Sequence, residues 1–453
     1  MRIFLVLLLL VCASCSLEPK YSAPKIQVEL AEIDKSKGRV SEIAWQEFFK
    51  HYDLKRVVDI ALKNNRDLKI ADLNMDVAQK NHAIRVSDLL PNINGGASYS
   101  SRNLPSSFSR FTASKQYSVN VAVLSYELDL FNRLGSLKRS ALEEYLASKE
   151  ARKTIKIALV SEVVEAYLNL VLDRELLKIS KASSYLQGQR YDLVRKRYKA
   201  GAASINDELK ARVDRENTKI DYEDYKNRVL EDENKLLNLM ASYDRKLLPA
   251  DNIRILSIKA REKMLNFVAS KALLQRPDII QAEHKLKSSN ALIGAARASF
   301  FPSITLSGDY GYTSLDLDNL LDSSSWNFMP QINVPIFTGG KNQAMLDIAK
   351  LRKKVEIVNY EQIIQNAFEE TSNALGLRKT IAFQTKSFAN ILKSKSSLYK
   401  ISKRNKRYGF VSKIDVLEAR LDYLASKRLY LRSEKDYFVS LVNIYKSLGG
   451  GTI

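Results

Sequence analysis

Cysteine, histidine and proline are all scarce in this chain, and each shortage closes a class of function. The two cysteines, Cys12 and Cys15, stand within the first fifteen residues, so no disulfide framework holds the body of the protein. The three histidines, His51, His82 and His284, are scattered and join no metal-ligand spacing. No glycine-rich loop follows a strand to cradle a phosphate. Without such a constellation the chain is not expected to be an enzyme, nor to need a cofactor. Acid is in short supply as well: 51 acidic residues face 72 basic ones, a formal charge of +21. Both signs are interspersed rather than gathered into a tail, which suits solvated faces of a lysine-rich sequence, a charged lumen or a docking surface.

The start of the chain is more informative. Met1-Arg2 precedes an apolar run from Ile3 to Val11, followed by the small residues Ala13 and Ser14. That is the plan of a secretory signal over residues 1–14, too short to persist as a membrane-crossing helix. Cys15 stands directly after the expected cleavage point, which suggests a bacterial lipoprotein with lipid on the Cys15 thiol. A plain signal peptide followed by a chance cysteine also fits. A secreted start argues against nucleic acid as the partner of the basic charge. Residues 15–53, with Pro19 and Pro24 and little periodicity, are expected to form an extended arm.

Seven prolines remain, at 91, 105, 249, 277, 302, 330 and 335, and they leave two long tracts free, about 139–248 and 338–448. Proline breaks helices, so both tracts are free to be helical. In the first, Ile155, Leu159, Val163, Ala166 and Leu170 recur at steps of three and four. In the second, Leu417, Leu424, Leu431, Phe438 and Tyr445 recur every seven residues, a coiled-coil seam interrupted by Arg428 and Lys435. Breaks near Gly201 and Gly409 make each tract a helical hairpin. The arm before Gly201 has about 60 residues, or about 90 Å of rise, more than a globular domain needs.

Other segments have a period of two. Val119, Val121 and Val123 alternate with Ser118, Asn120 and Ala122. Ile304, Leu306, Tyr310 and Tyr312 alternate with Thr305, Ser307, Asp309 and Thr313. Trp326, Phe328, Ile332, Val334 and Ile336 alternate with Asn327, Gln331 and Asn333. Alternation over about ten residues is the pattern of a transmembrane β-strand, and equally of a soluble hairpin with one wet face. Segments 104–115 and 314–324 are the expected loops.

The plan is written twice. Asp67, Ala71, Pro91, Ile93 and Tyr99 fall 211 positions before Asp278, Ala282, Pro302, Ile304 and Tyr310. RYKAGAASINDELKAR from Arg197 pairs with RYGFVSKIDVLEAR from Arg407, the second copy two residues shorter. The chain therefore divides into repeats over 54–250 and 251–453, each a helix, two strands and a long hairpin. Four strands per chain leave two open edges, which lipid does not tolerate. Three chains would supply twelve strands and close a barrel, with a matching helical tube. Two or four chains would also give even totals.

Several ordered motifs resemble those of TolC/NodT outer-membrane efflux channels: CSLEPKYSAP at Cys15, YELDLFNRLGS from Tyr126 with Asn132 where glycine is usual, RPDIIQAEHKLKSSNALIGAARASFFPSITLSG from Arg276, PIFTGGKNQA from Pro335 and YKSLGGG from Tyr445. The resemblance covers nearly the whole mature chain. It implies a TolC-like mixed α/β membrane protein, a homotrimer with a 12-stranded β-barrel and a periplasmic α-helical barrel, lipid-anchored in the outer membrane of a Gram-negative cell. It implies as partners a periplasmic adaptor and an inner-membrane pump, usually of the resistance-nodulation-division class. A duct for type I protein secretion is an alternative within the resemblance. A periplasmic coiled-coil adaptor lipoprotein is an alternative outside it, but would carry one hairpin rather than two. Gly339-Gly340, after Pro335-Ile336-Phe337, is the expected strand-to-helix turn. The hairpin turns match the family's periplasmic gate, whose carboxylates are Asp207 in the first repeat and Asp415 and Glu418 in the second. Arg197, Tyr198, Arg407 and Tyr408 are the matching bonding partners. Helix capping is the competing role for an acid just after a turn.

Overall fold

The computed structural model describes residues 16–24, 44–101, 115–258, 260 and 273–450. Cys15, the signal segment and most of the loop expected at 104–115 lie outside the described residues. The elements run α1 (Trp45–Phe48), α2 (Tyr52–Asn64), α3 (Arg66–Ser87), β1 (Ile93–Ser101), β2 (Lys115–Leu128), α4 (Arg133–Lys199), α5 (Ile205–Leu239), α6 (Pro277–Ala298), β3 (Ser303–Ser314), β4 (Ser324–Asn333), α7 (Lys341–Arg407) and α8 (Lys413–Ser447). Two compact units share them, and each draws on both halves of the sequence. One gathers Leu73–Glu150 and Ile280–Gln362 with the described arm; the other gathers 44–72, Ala151–Ile279 and 363–450.

The first unit holds one antiparallel sheet in the order β1-β2-β3-β4. Its register sorts the side chains by chemistry. Gly95, Val121, Tyr310 and Trp326 form one row across all four strands, and Ile93, Val123, Gly308 and Phe328 form the next row on that face. The intervening row is Asn94, Ala122, Asp309 and Asn327, with Ser98, Ser118 and Thr313 farther along the same face. One face is apolar and the other polar because the strand period of two is kept in register. Trp326 is 76% exposed and Phe328 60%, so the apolar face is uncovered in the protomer. Gly311 has no room for a side chain: a Cβ there would stand 2.2 Å from the Val119 carbonyl oxygen. The strand expected from Trp326 to Ile336 stops at Asn333, so Val334 and Ile336 fall in the following turn rather than in β4.

The strand-to-helix junctions of this unit are built alike. Gly340 precedes α7 at φ +83°, with Gly339 at +58°, and Asn132 precedes α4 at φ +57°. The left-handed region favours glycine, and asparagine is its commonest substitute. Asp129 closes the first junction, its carboxylate accepting from Leu134 N at 3.0 Å and Gly135 N at 2.7 Å. The arm is pinned beside it. Glu18 meets Arg139 Nε at 2.8 Å and accepts from Asn290 Nδ2 at 3.1 Å, while Arg297 Nη1 donates to the Leu17 carbonyl at 3.1 Å.

The second unit holds α5 and α8 with the parts of α4 and α7 that lead to the turns, from residues 151 and 363 onward. α4 and α7 each have 67 residues, against about 60 expected, and α5 and α8 each have 35. Leu417, Leu424, Leu431, Phe438 and Tyr445 are all buried along α8. The two charged interruptions leave the seam sideways: Arg428 pairs with Asp221 on α5 at 3.2 Å, and Lys435 with Asp436 at 2.9 Å. In the first tract Val163, Leu170 and Ala166 are buried. At the base, Phe48 stacks on Tyr445 at 4.9 Å between ring centroids and Phe49 on Phe438 at 6.1 Å. Arg276 ties the end of α8 to the start of α6: it is 8% exposed, donates to the Ser447 carbonyl at 2.8 Å, and bonds Asp278 at 2.7 Å and Glu370 at 2.9 Å. Among the described residues no helix is long and apolar enough to cross a membrane.

Candidate functional site: the two hairpin turns

Both turns have the same construction. α4 ends at Lys199 and α5 starts at Ile205; α7 ends at Arg407 and α8 starts at Lys413. Five residues therefore link the helices in each hairpin, so the second turn is not shorter than the first. The apparent deletion comes from pairing Arg197-Tyr198 with Arg407-Tyr408. The glycines, at φ +71° for Gly201 and +79° for Gly409, set the true correspondence at 208 residues. With that offset Ser204 matches Ser412 and Asp207 matches Asp415.

These four residues make two capping boxes. Ser204 Oγ accepts from Asp207 N at 3.1 Å, and the Asp207 carboxylate accepts from Ser204 N at 3.0 Å and from its hydroxyl at 2.7 Å. In the second turn Ser412 Oγ accepts from Asp415 N at 3.3 Å, and Asp415 accepts from Ser412 N at 2.7 Å. Each box satisfies two backbone donors left open by the helix start. The bonds from the Ser204 side chain and then its backbone hold the Asp207 carboxyl below the usual carboxylate range. Asp207 and Asp415 are therefore capping residues in the protomer. Among the described residues no side-chain bond joins Arg197, Tyr198, Arg407 or Tyr408 to either of them. Tyr408 lies within the turn, its ring 6.3 Å from that of Phe410.

Glu418 is the member of the expected set that is bonded across helices, and its partner is one the sequence did not single out. Arg190 Nε lies 3.0 Å from Glu418 on α8, and Arg190 Nη1 lies 2.8 Å from Asp214 on α5. One guanidinium thus joins both hairpins, with the fork geometry that arginine offers. Beneath it, Tyr191, Val194 and Ala211 form a small buried cluster with Ile414 against it. Tyr191 donates its hydroxyl to Glu208 at 2.9 Å, and Arg215 lies over the Tyr191 ring at 4.2 Å. Arg190, Tyr191 and Val194 share one face of the last turns of α4, but nothing local in the sequence sets Arg190 apart from the neighbouring bases. Among the described residues no group of acids, histidines and cysteines is placed to hold a metal ion.

The outer membrane efflux protein family matches the chain twice, over residues 57–242 and 268–450. The antibiotic efflux pump outer membrane protein ArpC of Pseudomonas putida is 35% identical over 97% of this chain and 93% of its own length. The cation efflux system protein CusC of Escherichia coli is 35% identical over 98% of this chain and 97% of its own. Among solved structures, the open state of the MtrE outer membrane channel of Neisseria gonorrhoeae superposes with a TM-score of 0.85 at 31% identity, covering 97% of this chain and 99% of that one.

Proposed function

We propose, because this chain belongs to the outer membrane efflux protein family, that it works as a lipid-anchored homotrimer whose hairpin turns form a gate facing the periplasm. It is the outer-membrane channel component of an efflux pump, conducting what an inner-membrane transporter and a periplasmic adaptor deliver. Its relatives are channel proteins rather than enzymes. The observation that carries the trimer is the sheet: β1 and β4 each pair on one side only, and the apolar face is bare. Open edges in lipid must be paired, and three copies of four strands close a barrel of twelve.

The helices support the same assembly. Along α5, Leu209, Val213, Ile220 and Leu230 are exposed at coiled-coil spacing, and along α7 so are Leu377, Ile391, Leu398 and Ile401. A seam on each flank fits a ring in which α7 of one copy meets α5 of the next. Heating samples of outer-membrane fractions before electrophoresis tests the reading. A trimer band that collapses on boiling is expected; a soluble periplasmic monomer alone would overturn it. Anchoring through Cys15 predicts palmitate labelling that disappears in Cys15→Ser.

For the gate, the Arg190–Glu418 pair is proposed as the latch between hairpins, with Asp207 and Asp415 shaping the turns on which it sits. Losing a charge-assisted bond of this kind would release one hairpin from the other. The pump is proposed to be of the resistance-nodulation-division class. Relatives of equal identity are named for antibiotic and for cation efflux, which supports a conduit that leaves cargo choice to the pump.

A further inference from the structure

The positive charge of this chain is not evenly spread. From Thr371 to Ile414 there are eleven lysines and arginines and no acid. The matching stretch of the first repeat, 208 residues earlier, holds eight bases and four acids. Within the basic stretch, Lys379, Lys386, Lys393, Lys400 and Arg407 recur every seven residues along α7, and all five are exposed. Their counterparts on α4 are Val171, Lys178, Tyr185, Asp192 and Lys199. A general lysine bias would load two helices of identical length alike, so the column belongs to α7 in particular. Among the described residues none of the five makes an ion pair.

The direction of the column follows from the two seams of α7. The first faces α8 through Thr385, whose hydroxyl donates to the Ser433 carbonyl at 3.1 Å, and Tyr399, which stacks on Tyr423. The second is the exposed line of Leu377, Ile391 and Leu398. At 3.5 residues per turn the seams lie roughly 100° apart around the helix, and the column lies roughly 100° from the first and roughly 155° from the second. In a closed ring of helices, neighbours subtend less than 180° on the lumen side. The wide arc between seams, which contains the column on the side nearer α8, therefore faces outward. Phe383 shares that arc, 73% exposed, between Lys379 and Lys386.

We infer that this outer face of α7 docks an elongated helical protein partner carrying acidic residues at seven-residue intervals, with Phe383 entering an apolar gap between its helices. The inference rests on the trimeric-duct reading and names the face on which a periplasmic partner sits. Cations about 10.5 Å apart along one helix match successive heptads of another. An aromatic set among them is the usual anchor of a protein interface.

The test uses the full-length trimer in detergent and a fluorescein-labelled helical hairpin peptide bearing Glu at every seventh position of one face, with a Gln version for comparison. Fluorescence anisotropy in 50 mM salt should show the Glu hairpin binding at least tenfold tighter than the Gln hairpin. The triple variant Lys386→Glu, Lys393→Glu, Lys400→Glu should lose that difference, and Phe383→Ala should weaken binding severalfold. Reversal at Lys210 and Arg212 should leave it within twofold. Equal binding by wild type and triple variant overturns the inference, as does a triple variant that instead shifts the chloride-over-potassium reversal potential in planar bilayers, which would put the column in the lumen. Wild-type protein that forms no conducting trimer fails the duct reading itself.

Discussion

Arg190 Nε lies 3.0 Å from Glu418 Oε1, and the two residues stand 228 positions apart. This bond ties the first hairpin to the second at the end where both turn. Glu418 is half exposed and Arg190 is not, so the pair contributes little to stability, in the range of about 0–1 kcal/mol for exposed ion pairs. Its value lies in position.

Arg190→Ala should therefore raise single-channel conductance in planar bilayers severalfold while leaving the thermal midpoint within a few degrees. Glu418→Gln should do the same, because Asp214, which Arg190 keeps, lies on the first hairpin and does not hold the second. Unchanged conductance in both variants would remove the latch role.

The capping boxes make a different prediction. Ser412→Ala should destabilise the start of α8 by about 1 kcal/mol, read as faster amide exchange in its first turn. Asp207 adds a pH dependence. Its folded pKa is depressed, so its contribution is present above the unfolded carboxylate value and is lost as pH falls through the lower folded one. Exchange at the first turn of α5 should rise in strong acid, and Asp207→Asn should abolish that rise.

Asp232 has the opposite sign. Burial and then the neighbouring Asp173 push its carboxyl up to about 7, and its buried Oδ2 has no hydrogen-bond partner. The folded state favours the protonated acid, so stability is lost as pH rises from the ordinary carboxylate value towards about 7. Asp232→Asn should raise the melting temperature at pH 8 and leave it nearly unchanged at pH 4. An equal gain at both would sink the assignment.

Arg276→Ala leaves Asp278, Glu370 and the Ser447 carbonyl without their shared donor. Asp278 and Glu370 reach solvent, so losing these charge-assisted bonds costs about 2 kcal/mol, measurable as a lower midpoint in chemical unfolding. Arg276→Lys should recover only part, since an ammonium cannot fork to several acceptors.

Gly311→Ala should thin the heat-resistant trimer band, because its Cβ would press on Val119 and Asn120 of β2. Gly188→Ala, where a Cβ meets nothing within 4 Å, is the matched control and should leave the band intact.

Much of this architecture was legible in the sequence because it is periodic. The seven-residue recurrence from Leu417 to Tyr445 fixed a buried seam, and the alternation around Val121 and Tyr310 fixed the two-faced sheet. The glycines at 201 and 409 marked turns since only a left-handed backbone reverses a helix so tightly. The cross-helix network was less visible. Arg190 reads locally as one more solvated base, and its acids lie 24 and 228 residues away. The recurrence of Arg-Tyr misled the alignment of the turns, because capping, not charge, sets where a helix begins. Val334 and Ile336 kept the alternation beyond β4 although Pro335 between them supplies no donor for a ladder.

The two hairpins match in both arms, 67 and 35 residues each. Length is therefore a shared variable of the duplicated gene. A turn of helix added to one copy would leave four arms ending at two levels, so any change in reach has to be made in both copies at once. Natural variation in the depth of such a protein should come in paired insertions, placed 208 residues apart or nearly so.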